Sequence, residues 1–288
     1  MSWRKWLGTR RKTQGNGWQM PTLFIFGMGY TASRLAAHVR GLGWDVAGTS
    51  RGGVDGTIRF DDTVAVYAAL AKASHILSSV PPSAEGHDPV LTTYGEAVCT
   101  APANWIGYLS STGVYGDALG AWVDETAPLK GRRGARTAAD LAWQGLRDDV
   151  RVFRLPGIYG AGRSALERVV AGKAHRVDDS AQVFSRVHVD DIVSGVVASF
   201  SAPAGTYNLT DDLPAPQNHV IEYACDFLGL PYPPLIGLDD PALSALSRAF
   251  YAENRRVANG KAKRLLNWQP LYPDYRSGLR ALFSADHP

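Results

Sequence analysis

The chain has 288 residues, 45% of them hydrophobic, and a formal net charge of +3. A balance this close to neutral makes no case for nucleic acid or a membrane surface as partner, and no apolar run approaches the ~18 residues of a membrane span. Two cysteines, Cys99 and Cys225, are too few for a metal or disulfide framework; both are expected as buried thiols in a reducing, cytoplasmic compartment.

Residues 1–20 carry Arg4, Lys5, Arg10, Arg11 and Lys12 among Gly, Gln, Asn and Trp. No apolar segment of ~7–15 residues follows, so the Arg10-Arg11 pair is not read as an export signal. The stretch is expected to be a disordered basic tail, because it has no apolar face to bury. Met20, directly before the first strand, is a second candidate start.

From there strands and helices alternate. Residues 22–26 are predicted as a buried strand and 31–39 as an amphipathic helix. Strands follow at 44–51 and 57–60, a helix at 64–71, and strands at 74–80 and 104–111. A helix at 135–146 precedes a strand at 150–156. This rhythm implies βαβ units and a parallel sheet, with the ligand along the strand C-termini. Beyond Gly160 two strands (183–189 and 206–209) and a helix (190–200) are expected to return to that sheet, and from Pro214 the pattern is mostly helical. The prediction is an α/β chain: a Rossmann-type doubly wound parallel sheet at 21–165, with 182–212 returning to it. Residues 166–181 and 213–288 form a smaller, mainly helical substrate-side cap.

Gly27-Met28-Gly29 closes the first strand and opens the first helix. Gly27 permits a sharp turn; Gly29 lets a pyrophosphate approach the helix N-terminus, where free N–H groups and the dipole favour an anion. Tyr30 and Thr31 supply the first of those N–H groups, and Ala32 stands where a third small residue is needed for close packing. The alternative is a plain structural turn. At the end of the second strand, Thr49, Ser50 and Arg51 stand where a carboxylate would hold the ribose of NAD, so NADP is favoured, with NAD the second reading. For Asp61 and Asp62 two readings stand: a contact to the adenine amino group, or an N-cap for the next helix.

"YLSSTGVYGD" at 108–117 resembles the Ser-Ser/Thr-x-x-Val-Tyr-Gly segment of the extended short-chain dehydrogenases/reductases, the group of NAD(P)-dependent nucleotide-sugar epimerases and dehydratases. "WVDETAP", "FRLPGIYGAGRS", "RVHVDDIV" and "YNLTDD" resemble further segments of that family in order and spacing, and the likeness runs from about Pro21 to Phe283. "ENRRVANGKAKRLLNWQPLYPDYRSGL" resembles an atypical branch of small bacterial members.

The resemblance implies an NAD(P)-dependent oxidoreductase or epimerase/dehydratase-like enzyme on a small hydroxylated or nucleotide-linked substrate, and a homodimer. It places Ser111 as the serine holding the substrate oxygen, beside Ser110 and Thr112; a turn-capping serine is the competing reading. It places Ser79, Val80 and Pro81 beneath the cofactor ribose, and Pro156, Gly157 and Ile158 against the nicotinamide carboxamide. The family's proton shuttle, the tyrosine of Tyr-x-x-x-Lys, is missing: "GRRGARTAADLAW" puts Arg132 and Arg136 in the tyrosine and lysine positions. An arginine does not deprotonate in this pH range, so Arg132 is no shuttle; Arg136 remains a candidate for binding cofactor hydroxyls or phosphate. Tyr115 is the nearest candidate for a substitute phenolic acid, with Tyr159 second. Arg163, Arg186, Arg255 and Arg256 are candidate anion clamps. His188, Asp190 and Asp191 are expected to cap a helix, with a metal or proton relay as the other reading. The second functional class is a non-catalytic NADP-binding sensor, supported by the missing tyrosine.

Overall fold

The computed structural model describes residues 20–83, 85–179 and 181–286; the expected disorder of the basic segment 1–19 lies outside the described residues. In chain order the elements of the first half are β1 (Thr22–Phe26), α1 (Tyr30–Gly41), β2 (Asp45–Ser50), β3 (Ile58–Arg59), α2 (Thr63–Leu70), β4 (His75–Ser78), α3 (Pro89–Thr100), β5 (Trp105–Ser111), β6 (Trp122–Val123), α4 (Gly134–Gln144) and β7 (Val150–Leu155). The second half adds β8 (Gly157–Tyr159), α5 (Ala165–Val170), β9 (Arg176–Val177), β10 (Arg186–His188), α6 (Val189–Ala198), β11 (Gly205–Asn208), α7 (Gln217–Leu228), β12 (Leu235–Ile236), α8 (Ala245–Tyr251), β13 (Arg256–Val257), α9 (Gly260–Leu265) and α10 (Tyr275–Asp286).

Seven parallel strands form one sheet in the order β11-β7-β5-β4-β1-β2-β3. The winding direction reverses between β1 and β4, which opens a crevice at their C-terminal ends. Register brings Phe26 beside Ser78 and Ser111 beside Leu155, so the loops that follow these strands meet on one edge.

Helices cover both faces of the sheet, and β1 shows why. Leu23 and Ile25 point into one core with Leu35, Ala36 and Val39 of α1 and Ile192 and Val196 of α6. Phe24 and Phe26 point into the other, with Val66, Val90, Tyr94 and Trp143 from α2, α3 and α4. Such period-2 alternation on a strand buried on both faces needs apolar residues throughout.

A third core joins α5, α7 and α10 through Leu166, Val220, Ile221, Tyr275 and Leu279. The C-terminal segment contributes beyond this core. Ala262, Leu266 and Trp268, in and just after α9, pack into the first core, and Trp268 Nε1 donates to Ser194 Oγ at 2.9 Å. This corrects the assignment of 213–288 to the cap.

Three further points differ from the sequence expectation. Helix α3 was not foreseen, although Asp88 caps it, accepting from the Val90 and Leu91 N–H groups, and Pro89 opens it. Cys99 is exposed on that helix, whereas Cys225 is buried as expected. The strand expected at 183–189 is only Arg186–His188 and pairs with β8 outside the main sheet.

Candidate functional site

A cavity of about 1020 Å³ opens at the C-terminal edge of the sheet, reaching from the crevice between β1 and β4 to α5, α7 and α10. One end is the glycine turn. Gly27 has φ +82°, and a Cβ there would stand 2.8 Å from Val80 Cγ2, so the turn requires glycine. Gly29 has an ordinary φ of −93°, and a Cβ there would meet nothing within 4 Å. Space is therefore open above it. Helix α1 begins with no side-chain cap and no acidic residue in its first turn, which leaves its N–H groups and dipole to an anion. Gly29, Tyr30 and Thr31 line the cavity. These features fit a dinucleotide pyrophosphate. The Tyr30 phenol donates to Ala161 O at 2.9 Å and so bridges α1 to the loop after β8.

The second strand departs from its expected role. Thr49 is fully buried, and its hydroxyl accepts from the Gly27 N–H at 3.1 Å. Ser50 Oγ accepts from the Gly53 N–H at 3.0 Å and bonds Thr57 Oγ1 at 2.7 Å. Both hydroxyls accept from backbone N–H groups, with Thr49 fully buried; Arg51 stays exposed at the strand end. Asp61 is ion-paired with Arg59 at 2.6 Å on the surface, and this pairing lowers its pKa. Asp62 caps α2 by accepting from the Ala65 N–H.

The middle of the cavity is lined by Ser79, Pro81, Ser110, Ser111 and Thr112, and farther along by Pro156, Gly157 and Ile158. Val80 turns instead toward Gly27. Ser111 Oγ accepts from the Gly113 N–H at 3.1 Å and caps the short 3₁₀ turn Thr112–Tyr115. The two readings of Ser111 coexist, because an accepting hydroxyl can still donate its own proton into the cavity. Ser110 Oγ donates to Asp140 Oδ2 at 2.6 Å, and Asp140 pairs with Arg154 at 2.8 Å in full burial. Neither Asp140 nor Arg154 had been marked as part of the site; their pairing joins distant segments and leaves no local signature.

Tyr115 lies outside the cavity lining. Its hydroxyl donates to Asn208 Oδ1 at 2.7 Å and accepts from Arg154 Nη1 at 3.1 Å, and burial raises its pKa. This corrects its place as substitute acid. Tyr159 lines the cavity, but its hydroxyl is packed against Gly278 and burial pushes its pKa up.

Arg136 lines the cavity one helical turn before Asp140, with no hydrogen bond from its guanidinium among the described residues. Arg132 is occupied: Nε donates to Glu253 Oε1 at 3.0 Å and Nη2 to Ala249 O at 2.9 Å. Glu253 also pairs with Arg255 at 2.8 Å, and both arginines hold its pKa down. Of the expected clamps, Arg163, Arg186 and Arg255 line the cavity and Arg256 does not. Among the described lining residues, eight Arg and Lys side chains face two carboxylates, so the cavity favours anions.

His188 caps α6, its Nδ1 accepting from the Asp190 N–H at 3.2 Å, and Asp191 accepts from the Leu271 and Tyr272 N–H groups. No group of three or more His, Cys, Asp or Glu residues suited to a metal occurs among the described residues. Nor is any helix among them long and apolar enough to cross a membrane.

No protein-family model matches the chain. A conserved protein of unknown function from Silicibacter pomeroyi is similar at 39% identity, covering 92% of this chain and 99% of its own, with a TM-score of 0.86. A 3-diazoavenalumate denitrifying reductase from Streptomyces is 33% identical over 137 residues, 44% of this chain and 45% of the reductase. The match thus spans less than half of that relative. The human epimerase family protein SDR39U1 with NADPH shares the fold at 15% identity, covering 93% of this chain and 100% of its own (TM-score 0.74).

The chain thus shares the fold of solved NAD-dependent epimerase/dehydratase-like proteins. Its seven-strand parallel sheet flanked by helices is the feature held in common with them. MoeE5, solved with UDP-glucuronic acid and NAD, is similar in fold at 19% identity (TM-score 0.74, 91% and 98% covered).

Proposed function

We propose that this chain binds NADP(H), with NAD(H) the second choice, and works as an oxidoreductase or epimerase on a small hydroxylated substrate or its carbonyl form. One observation carries this reading: a single cavity joins the open N-terminus of α1 to the Ser111 hydroxyl through a cationic lining. The N–H groups of Tyr30 and Thr31 hold the pyrophosphate above Gly29. Exposed Arg51 favours a 2′-phosphate, without help from Thr49 and Ser50. Ser79, Val80 and Pro81 pass beneath the ribose, and Pro156, Gly157 and Ile158 orient the carboxamide. Arg136 binds ribose hydroxyls or phosphate in place of the family lysine.

When bound, the nicotinamide supplies or accepts the hydride. Ser111 donates a hydrogen bond to the substrate oxygen, with Thr112 beside it, while the 3₁₀ turn fixes its Oγ. Asp140 and Arg154 hold the end of β5 rigid beneath it.

A non-catalytic NADP-binding sensor is the second reading, favoured because Tyr115 and Arg132 are both committed to structural bonds. Ser111→Ala and Arg136→Gln separate the two. An enzyme loses turnover in Ser111→Ala while its nucleotide titration is unchanged, and Arg136→Gln weakens nucleotide binding. A nucleotide-binding protein with no turnover in any hydride-transfer screen sustains the sensor reading.

A further inference from the structure

Arg186 is only 7% exposed, yet it lines the cavity. Its Nη1 donates to Phe184 O at 2.8 Å and Ala215 O at 2.9 Å, and Nη2 donates to Gln217 Oε1 at 3.0 Å. Three of the five guanidinium N–H groups are thereby used, all on neutral oxygens. The Nε–H and the second Nη2 proton have no partner among the described residues. Among the described residues no carboxylate is in contact with Arg186; Asp211 is the acid whose charge acts most strongly on it, and burial raises the Asp211 pKa. A buried guanidinium with unsatisfied donors is costly. Two adjacent free N–H groups on a planar fork are the complement of one carboxylate.

The walls around this cation are aromatic. Phe184 lies beneath the guanidinium at 5.9 Å from ring centroid to Cζ, and Tyr251 of α8 meets the Phe184 ring edge-on at 5.2 Å. Tyr275 adds a third lining ring, and its charge interaction with Arg186 places the two close together. Neither the Tyr251 nor the Tyr275 hydroxyl is hydrogen-bonded within the described residues. Of the other seven lining cations, Arg132, Arg133, Arg163, Arg168 and Lys173 stand exposed, where they steer an anion inward, while half-buried Arg136 lies on α4 and half-buried Arg255 is paired with Glu253.

We infer that the substrate is a small aryl carboxylate whose carboxylate is held by Arg186 and whose ring packs among Phe184, Tyr251 and Tyr275. The inference rests on the cavity being the substrate side of a nicotinamide site, and it narrows the substrate to a planar monoanion. A phosphate dianion would ask for more donors at the same depth than Arg186 has free, and a nucleotide would place its phosphates there instead.

The test is calorimetric titration of the full chain with trans-cinnamate, UDP and inorganic phosphate, with and without saturating NADP+. Saturable cinnamate binding is expected, weakened about tenfold or more by Arg186→Lys, which keeps the charge but loses the fork. Tyr251→Ala removes one wall ring and keeps Arg186, so it weakens cinnamate with the guanidinium still in place and provides a second reading should Arg186→Lys fold poorly. Cinnamate that fails to bind, binds equally well to both variants, or binds more weakly than UDP or phosphate overturns the inference. Titration without NADP+ keeps this outcome separate from failure of the cofactor reading.

Discussion

The Ser110 hydroxyl donates to Asp140 Oδ2 at 2.6 Å, which ties the strand end presenting Ser111 to the helix presenting Arg136. Asp140 also accepts from Arg154 Nε and Nη2 and from Gln144 Nε2, with no solvent exposure. Asp140→Ala strands a buried guanidinium and leaves Ser110 and Gln144 without their acceptor. Loss of one partner of a buried pair costs about 3–5 kcal/mol. Urea unfolding of this variant should show a drop of that order; an unchanged midpoint would mean that Arg154 finds another acceptor.

The two glycines of the turn should separate cleanly. Gly27→Ala forces a side chain to φ +82° and into Val80, at about 1–3 kcal/mol for the backbone strain alone. Gly29→Ala meets no strain and no neighbour, so thermal stability should hold. Its methyl group enters the space assigned to the pyrophosphate, so dinucleotide binding should be lost. Thermal melts beside nucleotide titrations of the two variants read this directly.

Tyr115→Phe should lower stability by about 1–3 kcal/mol, because it leaves the buried Asn208 Oδ1 without its donor. Nucleotide affinity should not change, and neither should turnover once a substrate is found. Loss of turnover with intact folding would restore Tyr115 as the acid.

His75 sets an acid limit. Burial, with Arg151 nearby, lowers its pKa to about 4 from an unfolded value of 6.5, and it sits among Trp44, Trp105 and Phe200. Between those values the unfolded chain binds a proton that the folded chain refuses. Stability present above pH 6.5 is therefore lost as pH falls toward 4, by about 3 kcal/mol in all. Asp191 slopes the other way: burial raises its pKa to about 6, so its contribution falls as pH rises from 3.8 to 6. His75→Phe removes only the first slope. Chemical denaturation at pH 5 and pH 7 should show the parent chain losing stability toward pH 5 relative to this variant, by about 2 kcal/mol.

Much of the fold was legible because its signals are local. Alternating apolar strands, Gly27 and Gly29 at the first turn, and the 108–117 segment all read directly from neighbouring residues. Helix α3 is less legible although Asp88 and Pro89 mark its start and Val90, Tyr94 and Val98 recur at helical spacing, because Thr92, Thr93 and Gly95 outside that face are weak helix formers. The site was less legible, because its roles depend on long-range partners. Thr49 and Ser50 look like free hydroxyls until Gly27 and Gly53 claim them. Tyr115 looks like an acid until Asn208 and Arg154 close on it. Arg186 was one arginine among four until Phe184, Ala215 and Gln217 buried it and left two of its N–H groups free.

The central claim is that the glycine turn holds a nicotinamide dinucleotide. Calorimetric titration of the chain with NADP+, NADPH, NAD+ and NADH tests it most directly, with Gly29→Ala as control. The account predicts saturable binding of one nucleotide per chain, tighter for NADP(H) than for NAD(H), and abolished in Gly29→Ala. Binding by none of the four nucleotides, or equal binding by Gly29→Ala, would contradict it.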